Sequence, residues 1–161
     1  MKTLYLIRHA KSSWAFDLDD HDRPLGPRGR KAIVKMGKYL KKHVEVPNLI
    51  ITSTASRAFY TALHLADYWE YPEEQIMLSN TLYHCSFQDI EGILGGFSSE
   101  DCIAIVGHNP TFTQFNNRFS DKPIDNIPTC GIVGLEFDIN SWKEIMMGKA
   151  RQTFFYRPKE I

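Results

Sequence analysis

Long apolar runs are missing from this 161-residue chain. No segment could cross a bilayer, and the run after Met1-Lys2 is too short for the core of a secretory signal. Cysteine is scarce. Cys85, Cys102 and Cys130 are too few and too scattered for a disulfide framework or a zinc knuckle, so they read as reduced thiols of a cytoplasmic protein. Net charge is absent as well: 19 basic side chains balance 19 acidic ones, leaving no global field to recruit nucleic acid or an anionic membrane. A small anionic ligand therefore has to be caught by a local cluster. Repeats, linkers and low-complexity segments are also lacking, and residues 1–161 read as one domain long enough to bury a core.

What is present begins at once. Leu4-Tyr5-Leu6-Ile7 is a short apolar run that reads as a strand buried on both faces, and it leads directly into Arg8 and His9. Lys11-Ser12-Ser13 then takes the chain out of the sheet. Trp14-Ala15-Phe16 precedes the acidic stretch Asp17 to Asp22, which fails calcium-loop spacing: position six is not glycine and position twelve is Arg28. It reads as a solvated, mobile loop. After the turn-rich Arg23-Pro24-Leu25-Gly26-Pro27, the residues Ala32, Ile33, Met36, Leu40 and Val44 recur at helical spacing under a lysine-rich outer face.

Leu49-Ile50-Ile51 is a second buried strand, followed at Arg57 by a helix whose apolar face holds Ala58, Ala62, Leu63, Ala66 and Trp69. An arginine at a helix N-terminus is unfavourable unless it has a negative partner. Ile76–Leu78 gives a short strand, Ser86 and Asp89 a capping box for the next helix, and Gly95-Gly96 its end. Cys102–Val106 is the clearest core strand. It runs into Gly107-His108-Asn109-Pro110, where Asn109 suits an N-cap and Pro110 a first helical residue. Cys130–Phe137 and Lys149–Tyr156 read as an antiparallel pair of strands.

Strand and helix alternation predicts a three-layer α/β/α sandwich around a mostly parallel, mixed sheet. Ligands in such folds sit beyond the carboxyl ends of the strands. Arg8, His9, Arg57 and His108 all follow strand ends, so they are expected to converge on a tetrahedral oxyanion, a phosphoryl group. Arginine forks chelate phosphate oxygens, and a histidine flanked by arginines stays neutral and able to attack phosphorus.

These residues stand in motifs: Arg8-His9-Ala10; Arg23-Pro24-Leu25 with Gly29; Ser53-x-x-x-Arg57-Ala58-x-x-Thr61-Ala62; Gly107-His108-Asn109-Pro110; and Tyr156-Arg157-Pro158-Lys159. In order along the whole chain, they resemble the histidine phosphatase superfamily, also called phosphoglycerate-mutase-like. Within it the chain is most similar to the small SixA-like phosphohistidine phosphatases. The resemblance implies that His9 is a transiently phosphorylated nucleophile. It implies that Arg8, Arg57 and His108 hold the nonbridging oxygens, with Ser12 and the backbone at Asn109 as further contacts, and that no metal or cofactor takes part.

Two departures matter. Ala10 replaces the glycine common after the Arg-His pair, a variant that suits the SixA-like branch. The stretch Asn80–Cys85 lacks the carboxylate with which larger relatives protonate an alcohol leaving group; Asp89 and Glu91 fall further on. An imidazole leaving group can dispense with that acid. His84 is either a proton donor or simply a packed or exposed histidine. The expectation is a metal-independent phosphatase acting on phosphohistidine, on a protein partner or as a small phosphoramidate. A small-molecule phosphomonoesterase and a catalytically silent phosphate-binding adaptor are the alternatives.

Overall fold

The computed structural model of the chain describes all 161 residues. Six strands form one sheet: β1 (Lys2–Arg8), β2 (Leu49–Ser53), β3 (Met77–Ser79), β4 (Cys102–Gly107), β5 (Ile132–Phe137) and β6 (Ala150–Tyr156). Their order is β3-β2-β4-β1-β5-β6. The four strands from β3 to β1 are mutually parallel, while β5 pairs antiparallel with both β1 and β6. Four helices complete the fold: α1 (Pro27–His43), α2 (Ser56–Tyr68), α3 (Phe87–Leu94) and α4 (Thr111–Phe119).

The period-two alternation of strand side chains sorts the core into two layers. Leu4 and Leu6 of β1, with Ile103 and Ile105 of β4, pack under α3 and α4 against Leu94, Phe112 and Phe115. Tyr5 and Ile7 of β1, with Ala104 and Val106 of β4, face the other way onto Ile33, Met36 and Leu40 of α1 and Ala58, Ala62 and Leu65 of α2. Both faces are therefore covered, which is why the central strands read as continuous apolar runs. The result is the expected three-layer α/β/α sandwich on a mixed, mostly parallel sheet. No helix is long and apolar enough to cross a membrane.

Several boundaries differ from expectation: β3, β5 and β6 each begin one or two residues later than the pattern suggests, and three differences bear on the site or its helices. Arg8 belongs to β1 rather than following it, since it is still in register with Gly107 of β4. Trp69 lies one residue past the end of α2, buried as its C-cap. Helix α4 starts at Thr111, with Pro110 in the cap position; Asn109 reaches in from one residue earlier, its Oδ1 accepting from Thr113 N at 3.2 Å.

Candidate active site

Strands β1 and β4 are neighbours whose last residues, Arg8 and Gly107, are paired, so His9 and His108 leave the sheet side by side. The His9 amide donates to the Gly107 carbonyl at 3.0 Å, and the two imidazole centroids stand 5.2 Å apart. Gly107 is required here because a Cβ would sit 2.7 Å from the Phe112 ring, which packs beneath the corner.

The next two links come from α2. Thr61 Oγ1 accepts from the Ala10 amide at 2.9 Å and donates to the Arg57 carbonyl at 2.7 Å, one helical turn earlier. The Arg-Ala-x-x-Thr spacing thus fastens the segment after His9 to the helix that carries Arg57. Arg57 is itself buried, and its Nε lies 3.4 Å from His9 Nε2.

His9 presents one defined nitrogen. Nδ1 lies 2.7 Å from the Ala10 carbonyl, which can only accept, so Nδ1 carries the proton and Nε2 keeps its lone pair. Burial lowers the pKa of His9 to about 4, and the Arg57, Arg8 and Arg23 charges push the same way against the Ala10 hydrogen bond. His108 is lowered to about 3 by burial and by His9 and Arg57. Both rings are neutral at physiological pH. His108 Nε2 is 2.8 Å from Ser53 Oγ, and that hydroxyl already accepts from the Ala55 amide. Its proton can go to Nε2, leaving His108 Nδ1–H to face a ligand.

Arg8 is half-buried, with Nη1 on the Ile127 carbonyl at 3.0 Å and Nε buried without a partner. Arg23 is buried too. Its Nε reaches Asp20 at 3.2 Å, its guanidinium lies 3.4 Å from the Trp14 ring centroid, and its Nη1 has no partner. Buried arginine N–H groups are seldom left unpaired, so Arg8 and Arg23 each keep a donor that an anionic ligand could take up.

The acidic stretch departs from expectation. It is not merely a solvated loop: a short 3-10 turn over Asp20–Asp22 brings Asp20 onto the site. The Asp20 carbonyl accepts from Arg57 Nη1 at 2.7 Å and its Oδ2 from Arg57 Nη2 at 2.9 Å. Tyr83 also donates to Oδ2. This hydrogen bond, with the Arg57 and Arg23 guanidinium groups, holds the Asp20 carboxyl down at about 2 against the opposing effect of burial. The negative partner demanded by an arginine at a helix start is thus supplied by the chain itself. Asp20 grips the far edge of the Arg57 fork and leaves Nε–H directed at His9 Nε2.

Asn109 contributes differently from a phosphate ligand's side chain. Its amide donates to Asn126 Oδ1 at 2.8 Å and to the Ile127 carbonyl at 3.0 Å, which braces the loop that also receives Arg8. Ser12 is half-buried, bridged through its backbone to Leu25 at the start of the exit loop. His84 is exposed, with its ring 4.1 Å from that of Tyr83, and Tyr83 in turn lies 5.4 Å from His108. Asp89 caps α3 through Ser86. Sequence reasoning passed over Asp20, Tyr83 and Ser53 as site members; the one available signal was the unmet charge of Arg57.

The sequence profile of the histidine phosphatase superfamily (branch 1) matches residues 4–96. The chain belongs to that superfamily. An uncharacterized chloroplastic protein of Arabidopsis thaliana is 29% identical over 153 residues, covering 89% of this chain and 70% of that one. An uncharacterized protein of Mycobacterium tuberculosis is 26% identical over 164 residues, covering 95% of this chain and all (100%) of its own. Among solved structures, a candidate phosphohistidine phosphatase SixA of Agrobacterium tumefaciens superposes with a TM-score of 0.81 at 22% identity, covering 98% of each chain. A protein histidine phosphatase SixA complexed with tungstate gives the same TM-score of 0.81 at 17% identity, covering 98% of this chain and 97% of that one. At such identities these likenesses speak for the fold: a histidine phosphatase superfamily chain with the SixA architecture.

Proposed function

We propose that this chain is a phosphatase that removes phosphoryl groups from phosphohistidine, on a protein or as a small phosphoramidate, in the cytoplasm. His9 Nε2 attacks phosphorus, the substrate P–N bond breaks, and the imidazole that leaves is neutral when its ring already carries a proton. Water then attacks phosphorylated His9, releasing orthophosphate and restoring the neutral ring. Arg8, Arg57 and His108 hold the oxygens through both transfers, with Ser12 and the Asn109 backbone as further contacts. The positive charge comes from arginine, so the route calls on no metal or cofactor.

The observation that carries this reading is the pairing of a neutral His9 Nε2 with Arg57 Nε at 3.4 Å, in a chain that also leaves the Nε of Arg8 buried and unpartnered. The substrate class rests on protons. Asp20, the carboxylate that the fold brings to the site, is held ionised and has none to give an alkoxide. The SixA structure with tungstate, a tetrahedral oxyanion, is consistent with this use of the fold.

Rapid-quench trapping with labelled phosphohistidine and a panel of phosphomonoesters tests the proposal. Wild-type protein is expected to accumulate an acid-labile, base-stable phosphoenzyme and to favour the P–N substrate. His9→Ala is expected to lose both phosphoenzyme and turnover while still binding phosphate. Faster turnover of alkyl phosphates would instead establish a phosphomonoesterase. Phosphate binding without turnover would establish an adaptor.

A further inference from the structure

A cleft of about 980 Å³ lies beside the phosphate site and is distinct from it. The two share a wall. The loop before β5 presents the Ile127 carbonyl to Arg8 and Asn109, and the Cys130 amide to the Arg8 and His9 carbonyls. Its residues Asn126, Pro128 and Thr129 line the cleft, and so does Lys11, two residues past His9 in the chain.

The lining is predominantly cationic although the chain as a whole is neutral. Lys11, Arg28, Lys31, Arg157 and Lys159 stand against Asp125 and Glu160, and Glu160 is already engaged by Arg157. The other four cations have no ion-pair partner. Arg28 and Lys31 lie near the start of α1, whose first turn holds no acidic residue, so they oppose the helix dipole instead of helping the helix. Ile124 and Phe155 give the cleft apolar surface between the charges. A cleft of this size exceeds what one phosphoryl group fills and suits a stretch of peptide.

We propose that this cleft docks an acidic, partly apolar peptide segment that flanks the phosphorylated histidine of a protein substrate. The proposal rests on the phosphohistidine reading above. With the phosphoryl group between Arg8, Arg57 and His108, the flanking chain would leave the site over Lys11 and lie along Arg28 and Lys31. Its carboxylates would take up the four free cations.

The test uses two synthetic phosphohistidine peptides, one flanked by glutamate and leucine and the other by lysine and leucine, assayed beside phosphoramidate. The acidic peptide is expected to be preferred roughly tenfold in kcat/KM, through KM, with the preference shrinking as salt rises. The double variant Arg28→Glu, Lys31→Glu, at two exposed positions, is expected to erase the preference and leave phosphoramidate turnover unchanged. Equal kcat/KM for the two peptides, or a preference that survives the double variant, overturns the proposal. Fluorescence anisotropy with the unphosphorylated acidic peptide reads the cleft without catalysis: binding to wild type that is lost in the double variant supports it, and no binding overturns it. If phosphoramidate and both peptides resist hydrolysis, the catalytic reading fails while anisotropy still decides the cleft. Sedimentation that finds a dimer broken by the double variant would assign the cleft to a second copy of the chain and overturn peptide docking.

Discussion

Arg57 shows why single residues here cannot be replaced one for one. All three nitrogens of its fork are engaged, two by Asp20 and Nε toward His9. On the proposed mechanism Arg57→Ala removes a donor to the phosphoryl oxygens, and a loss of roughly 2–4 kcal/mol in kcat/KM is expected. Asp20→Ala leaves the fork but loosens its aim, while removing one negative charge from the site. Because Asp20 is half exposed, the solvent-screened effect is a fall of roughly three- to tenfold in kcat with KM unchanged or lower. Asp20→Asn, keeping one acceptor, should recover part of the loss. A rise in kcat for Asp20→Ala would mean that the carboxylate competes with substrate instead of aiming the arginine. The histidines make a separate prediction. Below about pH 6.5 the unfolded chain protonates both, whereas the folded protein resists until about 4 for His9 and about 3 for His108. The unfolded state therefore binds more protons in that window, and folding stability should fall on acidification from pH 6.5 to 4 by a few kcal/mol. Asp20, whose pKa is lowered to about 2, loses its contribution only at still lower pH. Denaturant titrations at pH 7 and 5 measure this, and NMR of the His9 and His108 ring protons should show no titration between those values.

At the scale of elements, legibility followed burial. β1, β2 and β4 are buried on both faces, so Leu4–Ile7, Leu49–Ile51 and Cys102–Val106 are apolar without interruption and the strands can be read directly. β3 is an edge strand with Met77 and Leu78 exposed, and its pattern, read one residue early, was weaker. For α4, Asn109 and Pro110 carry the residue types of a cap and a first helical residue, one position early. In the fold Pro110 takes the cap position and the helix begins at Thr111; Asn109 still accepts from Thr113 N through Oδ1, while its Nδ2 donates to Asn126 and Ile127. The acidic stretch was misread for a related reason: composition shows the charge of Asp20 but not the distant Arg57 and Tyr83 that bind it. Glycines show how closely elements approach. A Cβ on Gly29 of α1 would lie 2.1 Å from the Lys11 carbonyl oxygen, a backbone atom that cannot swing aside. Gly29→Ala is expected to cost about 1–3 kcal/mol and to disturb the exit from His9. Gly92 of α3, exposed and with nothing within 4 Å, is the control. Gly92→Ala should stabilise by about 0.5–1 kcal/mol. Urea midpoints with unchanged slopes measure both.

For the whole molecule, the sequence could place cationic residues after three strands, but the sheet order that unites them depends on pairings a hundred residues apart. Only the insertion of β4 between β2 and β1 makes Arg8 and Gly107 neighbours and sets the imidazoles 5.2 Å apart. That convergence gathers Arg8, Arg23 and Arg57 around one point, with buried N–H groups of Arg8 and Arg23 lacking partners. Folding thus holds together positive charge that the unfolded chain would disperse, and an oxyanion that binds only the folded state should stabilise the entire protein. With inorganic phosphate at a hundred times its dissociation constant, linkage gives about 2.7 kcal/mol. For a chain of this size that corresponds to a rise of roughly 5–10 °C in Tm. The rise should saturate with phosphate concentration, exceed that produced by chloride at equal ionic strength, and disappear in Arg57→Ala. It should persist in His9→Ala, since the proposed nucleophile is not needed to hold the ion. Differential scanning calorimetry across these variants makes the measurement. A phosphate-dependent shift that survives the loss of Arg57 would place the anion somewhere other than between the two histidines.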